Sequence, residues 1–230
     1  MIPMSPLATS TTVTDRDPKG LHFMQKCAAV YNKAGLDEDQ AQQLNEDPEF
    51  AKELAMLIDK RSQPDNRFEL INSFEITVPA DYVHATRLTS FGKAHKKKFY
   101  YYNPELTDAN FAKTPALVPG KKFLVKAFQI KGRVTSDDCL TQLKRVKATL
   151  IGAQGASLAY EQKKDELTVS QWSLSFDEKD NLPFVDGYHR VPSVYRVSGG
   201  GFGFDLDGFE YDWSDRYVLL AFCDLPAGEA

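Results

Sequence analysis

The stretch from Lys121 to Gln162 constrains this chain more than any other. It runs KKFLVKAFQI, KGRVTSDD, CLTQLKRVKATLI, GAQG, ASLAYEQ. Phe123, Val125 and, after a one-residue slip, Phe128 and Ile130 alternate with polar or small residues, which predicts a strand with a bulge. Cys139, Leu140, Leu143, Val146 and Leu150 then recur at helical spacing and give one apolar stripe. Thr135 or Ser136 is placed to cap that helix. Asp137 and Asp138 suit the positive end of its dipole, and Lys144, Arg145 and Lys147 suit the negative end. Gly152 is expected to stop the helix in a left-handed conformation, and residues 156–162 to return as a second strand.

On either side the periodicity changes. Residues 1–18 are rich in Ser, Thr and Pro and predict a disordered tail. Residues 19–62 predict a helical region: Leu21, Met24, Cys27, Ala28 and Tyr31 form a stripe ended by Gly35. LDEDQAQQLNED reads as a short acidic helix or turn. Asp47-Pro48-Glu49 then starts a helix with Phe50, Leu54, Leu57 and Ile58 inward, because proline is tolerated at a first helical position. Gln63-Pro64-Asp65-Asn66 reads as a linker. From Phe68 the period is two, with Phe74, Ile76 and Val78 on one face. Tyr82–Leu88 suggests a further strand.

Residues 167–223 read as a β-meander. Asp186-Gly187 and Asp207-Gly208 sit between apolar runs and signal two-residue hairpins, and Gly199–Gly201 makes another turn. The continuously apolar 217–223, YVLLAFC, reads as a buried central strand. The fold class is therefore α+β. An N-terminal helical region is expected to pack on a mixed, mainly antiparallel sheet with one major helix, about 136–150, the α+β domain covering 67–225.

Charge is segregated. Residues 1–62 carry a net −3, 63–160 a net +7 and 161–230 a net −8. The even explanation is that the middle and the tail attract each other within one fold. The alternative is that the middle faces an anionic partner. Its densest part is Lys93-Ala94-His95-Lys96-Lys97-Lys98-Phe99-Tyr100-Tyr101-Tyr102. Ammonium groups neutralise phosphates and exposed aromatic rings stack on unpaired bases. Arg87, Lys93, Lys96, Lys97, Lys98, Tyr100 and Lys122 are thus the candidate ligand-binding residues, with nucleic acid or a protein as partner. Against this stands the ordinary use of lysine to protect a sheet edge.

Signals for chemistry are few. Asp205, Asp207, Glu210, Asp212 and Asp215 cluster without EF-hand spacing. Cys139 falls on the core stripe. His22, His84, His95 and His189 include no pair at zinc-ligand spacing. Neither glycine-rich segment carries a phosphate-loop or dinucleotide signature, so no metal, cofactor or catalytic residue is expected. No apolar run approaches the roughly 20 residues that span a bilayer. The first twenty residues lack the basic start and apolar core of a secretory signal. Three scattered cysteines fit a reducing compartment, hence the cytoplasm. The sequence points to a non-catalytic cytoplasmic binding protein. The alternatives are a small hydrolase-like enzyme with an Asp/His site near Asp186–His189, or a structural oligomer component.

Overall fold

The computed structural model describes residues 65–225 continuously and parts of 33–53. The chain divides into two compact units, Met1–Pro64 and Asp65–Ala230. The stripe from Leu21 to Tyr31, the tail 1–18, the inward residues Leu54, Leu57 and Ile58, and Gln63-Pro64 lie outside the described residues.

In the first unit, α1 spans Glu38–Glu46. Asp37 caps it: its Oδ1 accepts from the Gln40 amide at 2.8 Å, and the Gln40 side chain accepts from the Asp37 amide in return. Asp47 Oδ1 accepts from the Glu49 amide at 2.9 Å, the capping contact expected of Asp47.

The second unit is α+β. A mixed, mostly antiparallel nine-stranded sheet has the path β1-β3-β9-β5-β7-β8-β2, with β4 on β9 and β6 on β7. The strands are β1 Phe68–Thr77, β2 Phe99–Tyr102, β3 Lys122–Ile130, β4 Ala148–Thr149, β5 Trp172–Leu174, β6 Phe184–Val185, β7 Tyr188–Arg196, β8 Phe202–Gly208 and β9 Tyr217–Asp224. The helices are α2 Arg87–His95, α3 Ser136–Arg145 and α4 Gly152–Lys163. As YVLLAFC predicts, β9 is interior: Val218 to Cys223 are all buried. It pairs antiparallel with β3 and parallel with β5. The C-terminal strand run is a meander only in part: β6, β7 and β8 are antiparallel neighbours in sequence order, whereas β5 lies between β7 and β9 and the last strand inserts between β3 and β5.

Several local expectations are overturned. Residues 156–162 are not a strand but most of α4, in which Gly152–Tyr160 are all buried. α3 ends at Arg145, not near 150, and the left-handed residue that follows it is Lys147 (φ 56°). Gly152 (φ 41°) instead opens α4. Residues 82–88 hold a 3₁₀ turn, His84–Thr86, and the start of α2, not a strand. The bulge is in the partner: Ile71 is the extra residue between the pairs Leu70↔Phe128 and Asn72↔Ala127. Ala127 and Phe128 are both buried because both faces of β3 are covered. Asp186-Gly187 makes the expected turn (φ 51° and 83°), but Asp207 and Gly208 stay within β8, paired with Val191 and Arg190.

The sheet curls around α4. Tyr160 packs on Phe99 of β2 and Phe202 of β8, with ring centroids 4.5 and 5.1 Å away. Two residues later, Gln162 bonds to Thr77 of β1. Residues i and i+2 are about 3 Å apart along a helix. In a flat sheet, strands one and seven would lie about 29 Å apart. The two ends of the path must therefore bend toward one helix. Small residues make this geometry reachable. A Cβ on Gly155 would lie 2.7 Å from Ile151 and 2.8 Å from the Phe222 ring. The amide of Gln162 accepts from Thr77 N at 2.9 Å and donates to Thr77 O at 2.7 Å, as a neighbouring strand would. Asn72 adds a bond to the Glu166 carbonyl. The edge of β1 is thereby covered.

The opposite face of the sheet is covered in part by α3. Thr135 and Asp138 form its capping box. Ser136 Oγ donates to the Phe209 carbonyl and accepts from Trp213 Nε1 at 2.9 Å, tying the helix to the loop after β8. Cys139 is fully buried there, and burial pushes its thiol up, as its place on the apolar stripe implies.

Gly155→Ala is expected to lower stability by roughly 1–3 kcal/mol through overpacking, read as a drop in Tm. At an open helical site the same change would raise stability by about 1 kcal/mol. A higher Tm would mean that Phe222 does not press on the helix.

Candidate anion-binding face

The basic run begins on α2, whose amino end is fixed from afar. Asp108 accepts from the Leu88 amide at 2.7 Å and the Thr89 amide at 3.0 Å, satisfying two donors that the helix cannot. Phe91 anchors the other side, among Tyr160, Phe204, Phe99 and Tyr102, with ring centroids 5.7 to 6.4 Å away. α2 therefore turns its apolar side to α4 and its lysines outward. A 3₁₀ turn, Lys96–Lys98, carries the chain into β2.

Lys93, Lys96, Lys97 and Lys98 are exposed, and none makes an ion pair with a described residue. They crowd the carboxyl end of α2, where the helix dipole favours cations. Lys96 lies 5.8 Å from the Tyr102 ring centroid, and Lys98 Nζ is 3.5 Å from His95 Nδ1. Tyr100 is 61% exposed and Tyr101 is 43% exposed. Burial, with negative groups such as Asp205 adding to it, raises both phenols. Four ammonium groups and two tyrosines thus share the end of α2 and the last strand of the sheet.

The other two candidates sit elsewhere. Arg87 is turned inward. Its Nη2 donates to Glu161 at 2.7 Å, its Nε donates to Ser157 Oγ at 2.9 Å, and its guanidinium lies 5.5 Å from the Phe91 ring. Glu161 also takes His95 Nε2 at 2.9 Å. An inward guanidinium is tolerated because a carboxylate and a hydroxyl meet it. Lys122 is exposed on β3, with four strands between it and β2 in the sheet. Periodicity could not show either placement. Nor could it show that Tyr101, one residue past the candidate Tyr100, is exposed as well.

The acidic cluster is divided between places. Asp212 pairs with Arg133, and Glu210 with Lys179 and His189. Asp205 and Asp207 stay on β8. Asp205 Oδ1 accepts from Asn103 Nδ2 at 2.9 Å and from the Leu206 amide at 2.7 Å. Asp207 accepts from Ser193 Oγ at 2.6 Å. Burial, with Asp205 adding, pushes Asp207 up to about 6, against the pull of Ser193. Among the described residues no three His, Cys, Asp or Glu side chains gather as a metal site.

Two surface grooves lie near the β8–β9 loop. One of about 610 Å³ is lined by Gly132, Arg133 and 210–215. One of about 240 Å³ is lined by 135–137, Lys179 and 209–212. Neither is lined by a histidine. His189 Nδ1 meets Glu210 at 2.7 Å, and His84 Nδ1 meets the Tyr82 hydroxyl at 2.9 Å. Among the described helices none is long and apolar enough to cross a membrane.

Comparison of the chain with protein-family models, with curated proteins and with solved structures finds no match.

The raised Asp207 carboxyl has a defined consequence for stability. The folded state favours its protonated form, so its contribution is fully present below about pH 4 and is lost as pH rises toward 6. Asp207→Asn is expected to gain about 1–3 kcal/mol over the parent at pH 7 and almost nothing at pH 4, measured by urea unfolding at both values. An equal effect at both would mean that Asp207 is not desolvated.

Proposed function

We propose that this chain is a non-catalytic, cytoplasmic binding protein whose partner is anionic, with single-stranded nucleic acid as the chemistry that fits best. Lys93, Lys96, Lys97 and Lys98 would meet phosphates, and Tyr100, joined by Tyr101, would stack on bases. Arg87 and Lys122 drop out of the contact surface in this reading, Arg87 as a positioning group for α2.

One observation supports it above the rest. Several cations of the second unit have acidic partners: Arg67 with Asp65 and Asp138, Lys121 with Asp224, Lys131 with Glu69, Arg196 with Asp165. Others, such as Lys126, Lys144 and Lys163, have none among the described residues, but they are not gathered four within six residues as Lys93, Lys96, Lys97 and Lys98 are. The run at the end of α2 has none among the described residues. Unpaired like charges repel one another, so keeping four together costs stability unless something outside the fold balances them. The carboxylates of Asp205 and Asp207 set a limit on the other side. A phosphate chain would keep to the α2 side of β2.

The test is a binding titration of a fluorescent single-stranded oligonucleotide across a salt series. Affinity is expected to fall linearly with log salt. The Lys96→Ala, Lys97→Ala, Lys98→Ala triple variant is expected to flatten the slope by about 2, at about 0.7 per lost phosphate contact. No binding at low salt, or an unchanged slope in the variant, would reject nucleic acid on this surface.

A further inference from the structure

The outer face of the sheet, away from α4, carries a row of aromatic side chains that continues past the tyrosines of the lysine run to Trp172 and Tyr195. The row is set by strand register. Tyr217 of β9 pairs with Trp172 of β5, and Trp172 pairs with Tyr195 of β7. Tyr195 pairs with Gly203 of β8, and Gly203 with Tyr101 of β2. Paired residues share a face, so these five positions form one line across five strands. The glycine leaves no hole. A Cβ there would lie 2.8 Å from the Tyr100 hydroxyl, so the Tyr100 ring covers that rung. The Trp172 and Tyr195 rings are 4.8 Å apart. Trp213, 5.0 Å from Tyr217, closes one end, and β2 ends the other.

Along one side of the row, on the same face, stand Asp205 and Asp207. Each is held by hydrogen bonds, and neither makes an ion pair with a described residue. Arg190 is the nearest cation to act on Asp207, but its guanidinium is engaged by Asp186 at 3.9 Å and the Tyr188 ring at 5.6 Å. The two carboxylates are fixed in place, and Arg190 offsets Asp207 only from a distance, without an ion pair.

This combination selects its occupant. Rungs repeat at the strand spacing, about 4.8 Å, so every second rung falls at about 9.6 Å. A polyproline-II chain advances about 9.3 Å per turn of three residues. One turn therefore spans two rungs. An extended β-chain repeats at about 6.8 Å per two residues and drifts out of step. Proline rings pack on aromatic faces with little ordering cost, since the helix is preformed. A basic side chain in such a segment would meet Asp205 or Asp207, and a guanidinium would also lie flat on a neighbouring ring.

We propose that this face docks a basic, proline-rich peptide segment in the polyproline-II conformation, its prolines on the aromatic row and its cations on Asp205 and Asp207. The site meets the lysine run only at Tyr100 and Tyr101; its centre, Trp172, Tyr195, Asp205 and Asp207, lies on other strands and takes the opposite charge.

The probe is a synthetic dodecapeptide of four Arg-Pro-Pro repeats, titrated into the full chain. Trp172 is half-buried while Trp213 is 1% exposed, so quenching of the accessible tryptophan emission reports on the row. The Arg-Pro-Pro peptide is expected to bind at least tenfold tighter than a Glu-Pro-Pro peptide and a proline-free Arg-Gly-Ser peptide of equal length. The Asp205→Asn, Asp207→Asn double variant, which removes charge without removing side chains, is expected to lose at least tenfold of that affinity while melting no lower than the parent. Tyr195→Ser should lose affinity while Lys96→Ala leaves it unchanged. Equal binding of the Arg-Gly-Ser peptide would reduce the contact to charge alone and overturn the proposal. So would unchanged affinity in the double variant, or quenching by a neutral β-linked glycan with none by the peptide.

Discussion

The burial of α4 on every side is what the rest of the second unit rests on. A helix lying on an open sheet needs one apolar stripe. One enclosed by the sheet must be small or apolar all round, and GAQGASLAY supplies that from Gly152 to Tyr160. The small side chains decide how closely Phe222 and Ile151 approach. That approach decides how tightly β9 and β3 bend, and the bend brings β1 and β2 to opposite sides of the same helical turn. Polar groups inside this packing are met in part, for Gln154 Oε1, Thr114 Oγ1 and one oxygen of Asp177 have no partner among the described residues. Ser175 Oγ donates to the Gly152 carbonyl at 2.6 Å, and Ser157 Oγ donates to that of Gln154 at 2.8 Å. The second carboxylate oxygen of buried Asp177 and the Thr114 hydroxyl stand close to Gly152 at the start of the helix, and burial pushes that carboxyl up.

How far the sequence could be read follows from this. Where a segment has one buried face, the periodicity told the truth: β1, the capped start of α3 and the turn at Asp186-Gly187 sit where their patterns put them, whereas α3 stops at Arg145 and β3, covered on both faces, carries no bulge of its own. Where a segment is buried on all sides, period carries no information. ASLAYEQ passes equally for a strand or a helix, and only the enclosing sheet makes it helical. The Asp207-Gly208 pair failed as a hairpin for a related reason. Gly208 pairs with Arg190 inside β8, where a Cβ would strike the Tyr211 ring at 2.9 Å, so its glycine serves close packing and not a turn.

The binding surfaces show the same division. Clustering of Lys96, Lys97 and Lys98 beside tyrosines is visible in any reading of the sequence, because it is local. The inward turn of Arg87 is not, because Glu161 lies 74 residues away. The aromatic row is wholly non-local. Tyr217, Trp172, Tyr195 and Tyr101 come from four separate segments, and only the register of five strands aligns them. Charge behaves likewise. The positive middle and negative end of the sequence touch at Arg87–Glu161 and Lys121–Asp224, yet each keeps an uncancelled remainder, the lysine run in one and Asp205 with Asp207 in the other.

The position of β9 has a bearing on how the polypeptide comes to be made. Residues 217–224 emerge after every other strand, yet they belong between β3 and β5. At a translation speed of about 5–20 residues per second, the 87 positions from Ile130 to Tyr217 take roughly 4–17 s to be added. Throughout that interval β3 holds an unpaired hydrophobic flank, joined by that of β5 once Leu174 has been added, and a chaperone has its natural opportunity there.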